Sequence, residues 1–151
     1  MTLSDAEVAA AFARTAVNTL LGSRLVHRSA QRVEIELPVR AELLQEEGVV
    51  HGGLLTTLAD TAAVYLVWPE LQPARTMTSI DFHVTFLAAG RPGRGALRAR
   101  ATPLRIGRSI AVCESEVWQG DVLLCKGLFQ YLLRELDPLR ERDSLREREP
   151  S

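Results

Sequence analysis

One stretch limits the folding of this chain more than any other. From Leu54 to Trp68 the sequence is apolar, without internal Gly or Pro, and Pro69 follows directly. Leu54, Leu58, Ala62 and Leu66 recur every four residues, and Leu55, Ala59 and Ala63 broaden the stripe. This is the pattern of a helix that is apolar over most of its circumference, and such a helix has to be covered by other elements. Pro69 stops it.

The flanking sequence supplies strands as the cover. Ser4 to Leu21 reads as a helix: Ser4 can cap, Glu7 completes a capping box, and Val8, Phe12, Ala16 and Leu20 follow helical spacing. Gly22 ends it. Strands are expected over Arg24–Ser29 and Arg32–Leu37. In the second, Val33, Ile35 and Leu37 alternate with Arg32, Glu34 and Glu36, and Pro38 closes it. Leu43–Val50 is a loop into the helix. Beyond the helix, Met77–Leu87 alternates Ile80, Phe82, Val84 and Phe86 against Ser79, Asp81, His83 and Thr85. Further strands are expected over Gly95–Leu104, Ser109–Trp118 and Val122–Leu133. Turns at Gly90–Gly93, Arg105–Gly107 and Gln119–Asp121 separate them. Connections this short predict antiparallel meanders. The fold class is α+β: an antiparallel sheet of five to six strands wrapped around a long central helix, with an N-terminal helix. A single domain is expected over residues 1–133, with a charged tail over 134–151 that is mobile or a solvated helix. The sheet's open edges and uncovered face call for edge pairing or face stacking between subunits.

Composition narrows the class. A chain of 151 residues suits one domain, and 46% hydrophobic with 25% charged residues is typical of a soluble globular protein. A net charge of −1 leaves no basic field to collect nucleic acid. Asp5, Glu7 and Arg14 interrupt the first apolar residues, so neither a signal peptide nor a membrane span is expected there, and the default location is cytoplasmic. Cys113 and Cys125 form no CxxC and have no nearby His; they read as small core residues, with no metal site expected.

Two features carry chemistry. His51-Gly52-Gly53 stands at the start of the apolar helix. The first N–H groups of a helix lack intrahelical partners, the dipole adds positive character, and glycines allow close approach; together they suit an oxyanion or a polarised carbonyl. A tight turn that needs pliable backbone is the plainer account. Asp60 is the second feature, a carboxylate inside an apolar helix and flanked by Thr56, Thr57 and Thr61. Buried, it would act as a general base or nucleophile; partly exposed and hydrogen-bonded, it would be structural. Gly52 and Asp60 are eight residues apart, about 12 Å along one helix. Attack requires about 3 Å, so if both act on one carbonyl they come from different chains. The expectation is a two-fold dimer with shared sites.

The residues His51-Gly52-Gly53-Leu54 through Leu58-Ala59-Asp60-Thr61-Ala62-Ala63 resemble the PaaI-like acyl-CoA thioesterases of the hotdog superfamily. Ser79 to Phe86, Gly107 to Val112 and Glu114 to Val117 continue the resemblance, which runs from about residue 24 to 133. It implies hydrolysis of acyl- or aryl-CoA to free acid and CoA. Gly52 would polarise the carbonyl through its N–H, and Asp60 would be nucleophile or general base. His51 would orient the loop, and Ser79 (or Thr78) would help place the hydrolytic water. Gln45 stands where the family often has Asn, and Ala88-Ala89 replaces a common proline. Gly53 and Thr61 would contact substrate, and Arg105, Gly107 and Arg108 would meet the CoA phosphates, with Arg91 and Arg94 as weaker candidates. The acyl group would lie in an apolar channel at the dimer interface, which Tyr65 and Trp68 would line unless they pack the core or the interface. The resemblance implies no cofactor beyond the CoA of the substrate, a homodimer at least, and a homotetramer. Rival readings are a hotdog enoyl-CoA hydratase or dehydratase, a non-catalytic acyl-CoA binder, and a structural dimerisation module. His27 and His83 do not form the His–acid pair a dehydratase would present.

Overall fold

The computed structural model describes residues 3–136. Most of the expected tail, residues 137–151, lies outside the described residues. Six strands form one antiparallel sheet around a long helix, as the hydrophobic pattern predicts. The elements are α1 (Asp5–Arg14), α2 (Ala16–Leu21), β1 (Arg24–Ser29), β2 (Arg32–Leu37), α3 (Gly52–Val67), β3 (Arg75–Phe86), β4 (Leu97–Ile106), β5 (Ile110–Gln119) and β6 (Val122–Glu135). Single 3₁₀ turns at Ala41–Leu43 and Trp68–Glu70 bracket α3 in the chain. Leu55, Leu58, Ala59, Ala62, Ala63 and Leu66 of α3 are buried. They meet the inward rows of the sheet, including Val33, Ile35, Ala99, Ala101, Cys113 and Phe129. The small side chains let helix and sheet approach closely. Among the described residues, no helix is long and apolar enough to cross a membrane.

The strand order is β1-β2-β4-β5-β6-β3, which corrects the expectation of consecutive meanders. β4, β5 and β6 do form a meander. β2 takes the free edge of β4, and β3 pairs with the free edge of β6. The connection from β3 to β4 therefore crosses the sheet, with Gly93 and Gly95 in left-handed conformation at φ 75° and 88°. The turn expected at Arg105–Gly107 lies slightly later, because β4 continues through Ile106.

The expected N-terminal helix is two helices. Ser4 and Glu7 form the capping box, and Gly22 closes α2 at φ 73°. At Thr15 the backbone turns extended, and the hydroxyl donates to Ala11 O at 3.0 Å. Such side-chain bonds compete with the helical ladder. Beyond the break the buried face changes: Asn18 and Leu21 turn inward, while Leu20, expected on the apolar stripe, is 73% exposed. Arg40 donates to Leu21 O and Leu20 O, both at 2.7 Å, capping α2. Arg28 bridges Asp5 of α1 and Glu70 beyond α3. The Arg28 bridge, the Thr15–Tyr65 hydroxyl pair and the Phe12–Tyr65 edge contact hold α1 against the end of α3.

β3 is an edge strand. A bulge at Ile80 divides it, between the pairs Ser79↔Tyr131 and Asp81↔Gln130. Phe82 stacks on Phe129 at 5.9 Å. Gly127 makes the pairing possible: a Cβ there would lie 2.6 Å from His83 O. Ile80, Phe82 and Phe86 are each more than half exposed, at 51%, 55% and 54%.

Candidate active site

The helix start is built as a donor site. His51 is the N-cap of α3, at φ −61° and ψ 129°, and its Nδ1 accepts the Gly53 N–H at 2.9 Å. A neutral His51 ring therefore carries its proton on Nε2. This arrangement uses the Gly53 N–H and sets Gly52 apart. Among the described residues the Gly52 N–H has no acceptor. The Phe86 ring covers Gly52 closely: a Cβ there would meet it at 3.3 Å. A larger residue there would have to push the ring back by a few tenths of an ångström.

Asp60 lies two turns along α3, half-buried, on a face that opens into a groove under α1 and α2. Its Oδ1 accepts a hydrogen bond from the Tyr131 hydroxyl at 2.9 Å. Burial raises the Asp60 pKa above the ordinary carboxylate range, and the Tyr131 bond opposes part of that rise. Tyr131 is fully buried. Burial, the Asp60 charge and the shared bond all push its pKa up, so it stays protonated and donates throughout the neutral range. A half-buried carboxylate with one oxygen held and the other open to a groove is a base or nucleophile in waiting.

The other expected site residues distribute unevenly. Thr61 lines the groove, and its hydroxyl donates to Thr57 O at 2.7 Å. Ser79 stands opposite Tyr131 on β3 and is exposed, one strand out from the Asp60 bond. Its alternative, Thr78, alternates to the other face of the strand. Gln45 is not brought to Asp60 by its own side chain: its Oε1 accepts from the Glu47 N–H within its loop. Arg105 and Arg108 are exposed around the β4–β5 turn, whose Gly107 N–H donates to Ile110 O at 2.8 Å. Arg75, at the start of β3, donates to Arg108 O and adds a third guanidinium there. Arg91 is exposed at a distant turn, its N–H held by Gln119. His27 and His83 are exposed and do not line the groove. Among the described residues, no cluster of His, Cys, Asp or Glu has the grouping a metal needs.

Tyr131 is the residue the sequence reading missed. It occupies one place in the inward row Cys125, Gly127, Phe129, Tyr131, Leu133 of β6. Its hydroxyl is the one hydrogen-bonding side-chain group in an otherwise apolar row, and a buried Tyr requires a partner. That was the available signal.

Comparison with known proteins bears on the family and the fold. The thioesterase superfamily matches residues 47–126, which include the helix start, Asp60 and most of the sheet. An inferred esterase of Halobacterium salinarum is 34% identical over 127 residues, covering 78% of this chain and 82% of the relative. The crystal structure of a thioesterase from Haemophilus influenzae superposes with a TM-score of 0.80 at 24% identity, covering 90% of this chain and 94% of that one. A phenylacetic acid degradation-related protein of Ralstonia eutropha superposes at 0.73 with 24% identity, covering 78% and 89%. At these identities the solved structures speak to the fold. The family match, more than half the chain in length, supports a further statement: this protein belongs to the thioesterase superfamily and has its hotdog fold.

Proposed function

We propose that the protein hydrolyses the thioester of acyl- or aryl-CoA to free acid and CoA, at sites shared between two subunits. The observation that carries this reading is the half-buried Asp60 carboxylate, held by Tyr131 and open to a groove, on a helix whose first N–H is unused. The Gly52 N–H of one subunit would bind the thioester oxygen as charge develops on it. Asp60 of the other would attack the carbonyl carbon, or take a proton from a water that does. In the first route the C–S bond breaks to leave a mixed anhydride, which water then cleaves to free Asp60; in the second, water adds directly; in both, water supplies the new acyl oxygen and the proton of the CoA thiol. Arg105 and Arg108 are the candidates for the CoA phosphates.

The edge strand supports a dimer in this reading. β3 offers unpaired backbone groups and the exposed side chains Ile80, Phe82 and Phe86, surface that a second copy of the chain would cover. Exposed Ile110, Leu128 and Leu132 on the outer sheet face supply a second surface, through which two dimers would stack as a tetramer.

The test is thiol release by the native protein from a panel of acyl- and aryl-CoA thioesters. Turnover is expected. Tight binding without turnover would favour the acyl-CoA binder, and hydration of an enoyl-CoA without thiol release would favour the hydratase.

Tyr131→Phe tests the holding bond. Losing the hydroxyl removes the influence that lowers the Asp60 pKa and leaves the burial that raises it. Activity needs the ionised carboxylate, so the acid limb of the kcat/KM profile should move to higher pH. A loss of roughly tenfold in kcat is expected at neutral pH. An unmoved acid limb would reduce Tyr131 to a packing residue.

A further inference from the structure

A cleft lies on the outer face of the sheet, the side away from α3. Glu36 of β2, Arg98 of β4 and Trp118 of β5 form one cross-strand row in it, and Arg100 belongs to the next row. Their neighbours in sequence, Leu37, Leu97, Ala99 and Val117, face the core. Arg94 and Asp121 close the cleft at the strand ends, and its volume is about 660 Å³. Small-molecule sites span roughly 300–1,000 Å³. We propose that this cleft binds a free nucleotide, with its base on the Trp118 ring and its phosphates on Arg94 and Arg98.

Pairing decides which charges are free. Glu36 is held by Arg24 at 3.3 Å, and Arg100 by Glu34 at 3.2 Å. Among the described residues, Arg94 and Arg98 enter no ion pair, and neither does Asp121. Two guanidiniums are thus left against one carboxylate. The guanidinium fork of N–H donors matches phosphate oxygens. The Asp121 carboxylate repels a bare anion but accepts hydrogen bonds from ribose hydroxyls or a base amine. This mixture suits a nucleotide better than inorganic phosphate.

The ring and the Arg94 loop are held in place before any ligand arrives. Trp118 is half-buried, and its Nε1 donates to Glu116 Oε2 at 3.0 Å, which restrains the indole. An aromatic face of this kind stacks on any base. The buried Gln119 amide accepts from the Arg91 N–H at 2.9 Å and donates to Arg91 O at 2.7 Å and Gly95 O at 2.9 Å. Those bonds pin the chain on both sides of Arg94. A loop fixed in advance loses less freedom on taking a ligand.

The cleft is separate from the candidate active site. Asp60 bonds Tyr131, which pairs with Ala111 on β5. Trp118 is seven residues further along that strand, about 23 Å, and on its other face. Gly52 lies against Phe86 of β3, two strands from β5. Arg105 and Arg108, the candidates for the CoA phosphates, stand at the opposite ends of β4 and β5. Nucleotide binding here does not require that Asp60 act on a thioester.

The probe is ADP, titrated into the native protein by calorimetry and into a Trp68→Phe protein by fluorescence. Trp118 is the one tryptophan left in that variant, and its emission should change as ADP binds. ADP should bind at least about tenfold more tightly than pyrophosphate or adenosine, each of which carries only part of its chemistry. Arg98→Gln, an exposed substitution, should weaken ADP by about tenfold or more and leave KM for any thioester the protein hydrolyses unchanged. Neither heat nor an emission change with ADP would overturn the site. Pyrophosphate or adenosine binding as tightly as ADP would overturn the nucleotide, leaving an anion patch or an aromatic platform. A KM for CoA thioesters that rises with Arg98→Gln would give the cleft to the substrate's own CoA and overturn a separate site.

Discussion

Replacing Asp60 by Asn should lower kcat for thioester hydrolysis by roughly 10²–10⁴-fold, with KM little changed. Asn keeps the shape and retains an oxygen to accept the Tyr131 hydrogen bond, 2.9 Å in the native chain. What it lacks is the charge and the basicity. The effect should therefore fall on the chemical step and spare substrate binding. The same substitution should raise thermal stability at neutral pH. Burial raises the Asp60 pKa in the folded chain. The folded protein thus holds this proton more tightly than the unfolded one, and stability is lost as pH rises from the unfolded pKa through the folded one. Asn removes that penalty above the window and changes nothing below it. A higher Tm with a collapsed kcat would mark a residue kept for chemistry at a cost to the fold. Equal turnover by the native and Asp60→Asn proteins would remove Asp60 from the mechanism.

Some of this site was legible in the chain and some was not, for physical reasons. The bounds of β1 and β2 were readable to the residue, because β2 alternates and Pro38 closes it, whereas the bulge at Val26 that shifts their register was not. The capping box and Gly22 marked helix ends, because caps are local chemistry. The break at Thr15 was not readable: a mid-helix Thr is tolerated in many helices, and the break depends on a hydroxyl bond and on Tyr65 from α3. β3 pairing with β6 was hidden because proximity in sequence suggests β4, and competition for edges decides otherwise. Asp60 stood out because a carboxylate is conspicuous in an apolar helix. Tyr131 did not, because the bond that gives it meaning spans 71 residues. Local patterns report periodicity and caps; the partners of a buried polar group are set by the sheet register.

A mixed dimer should recover activity from two dead parents. Gly52 occupies the first position of α3, where proline's missing N–H and fixed φ are tolerated. His51 before it has ψ 129°, a conformation a following proline accepts. Gly52→Pro therefore deletes the unused N–H and leaves the helix, at the cost of a small shift in the Phe86 ring. Loss of one such donor should reduce kcat by roughly 10²–10³-fold. Gly52 and Asp60 lie about 12 Å apart along one helix, well outside the reach of one carbonyl. In a dimer of one Gly52→Pro chain and one Asp60→Asn chain, one site carries both defects and the other carries neither. Such mixed dimers, isolated through two different affinity tags, should show about half the native activity. Sites contained within single chains would each carry one defect, and the mixture would stay as inactive as its parents. Recovery thus depends on α3 of one subunit delivering its start to the middle of α3 of the other.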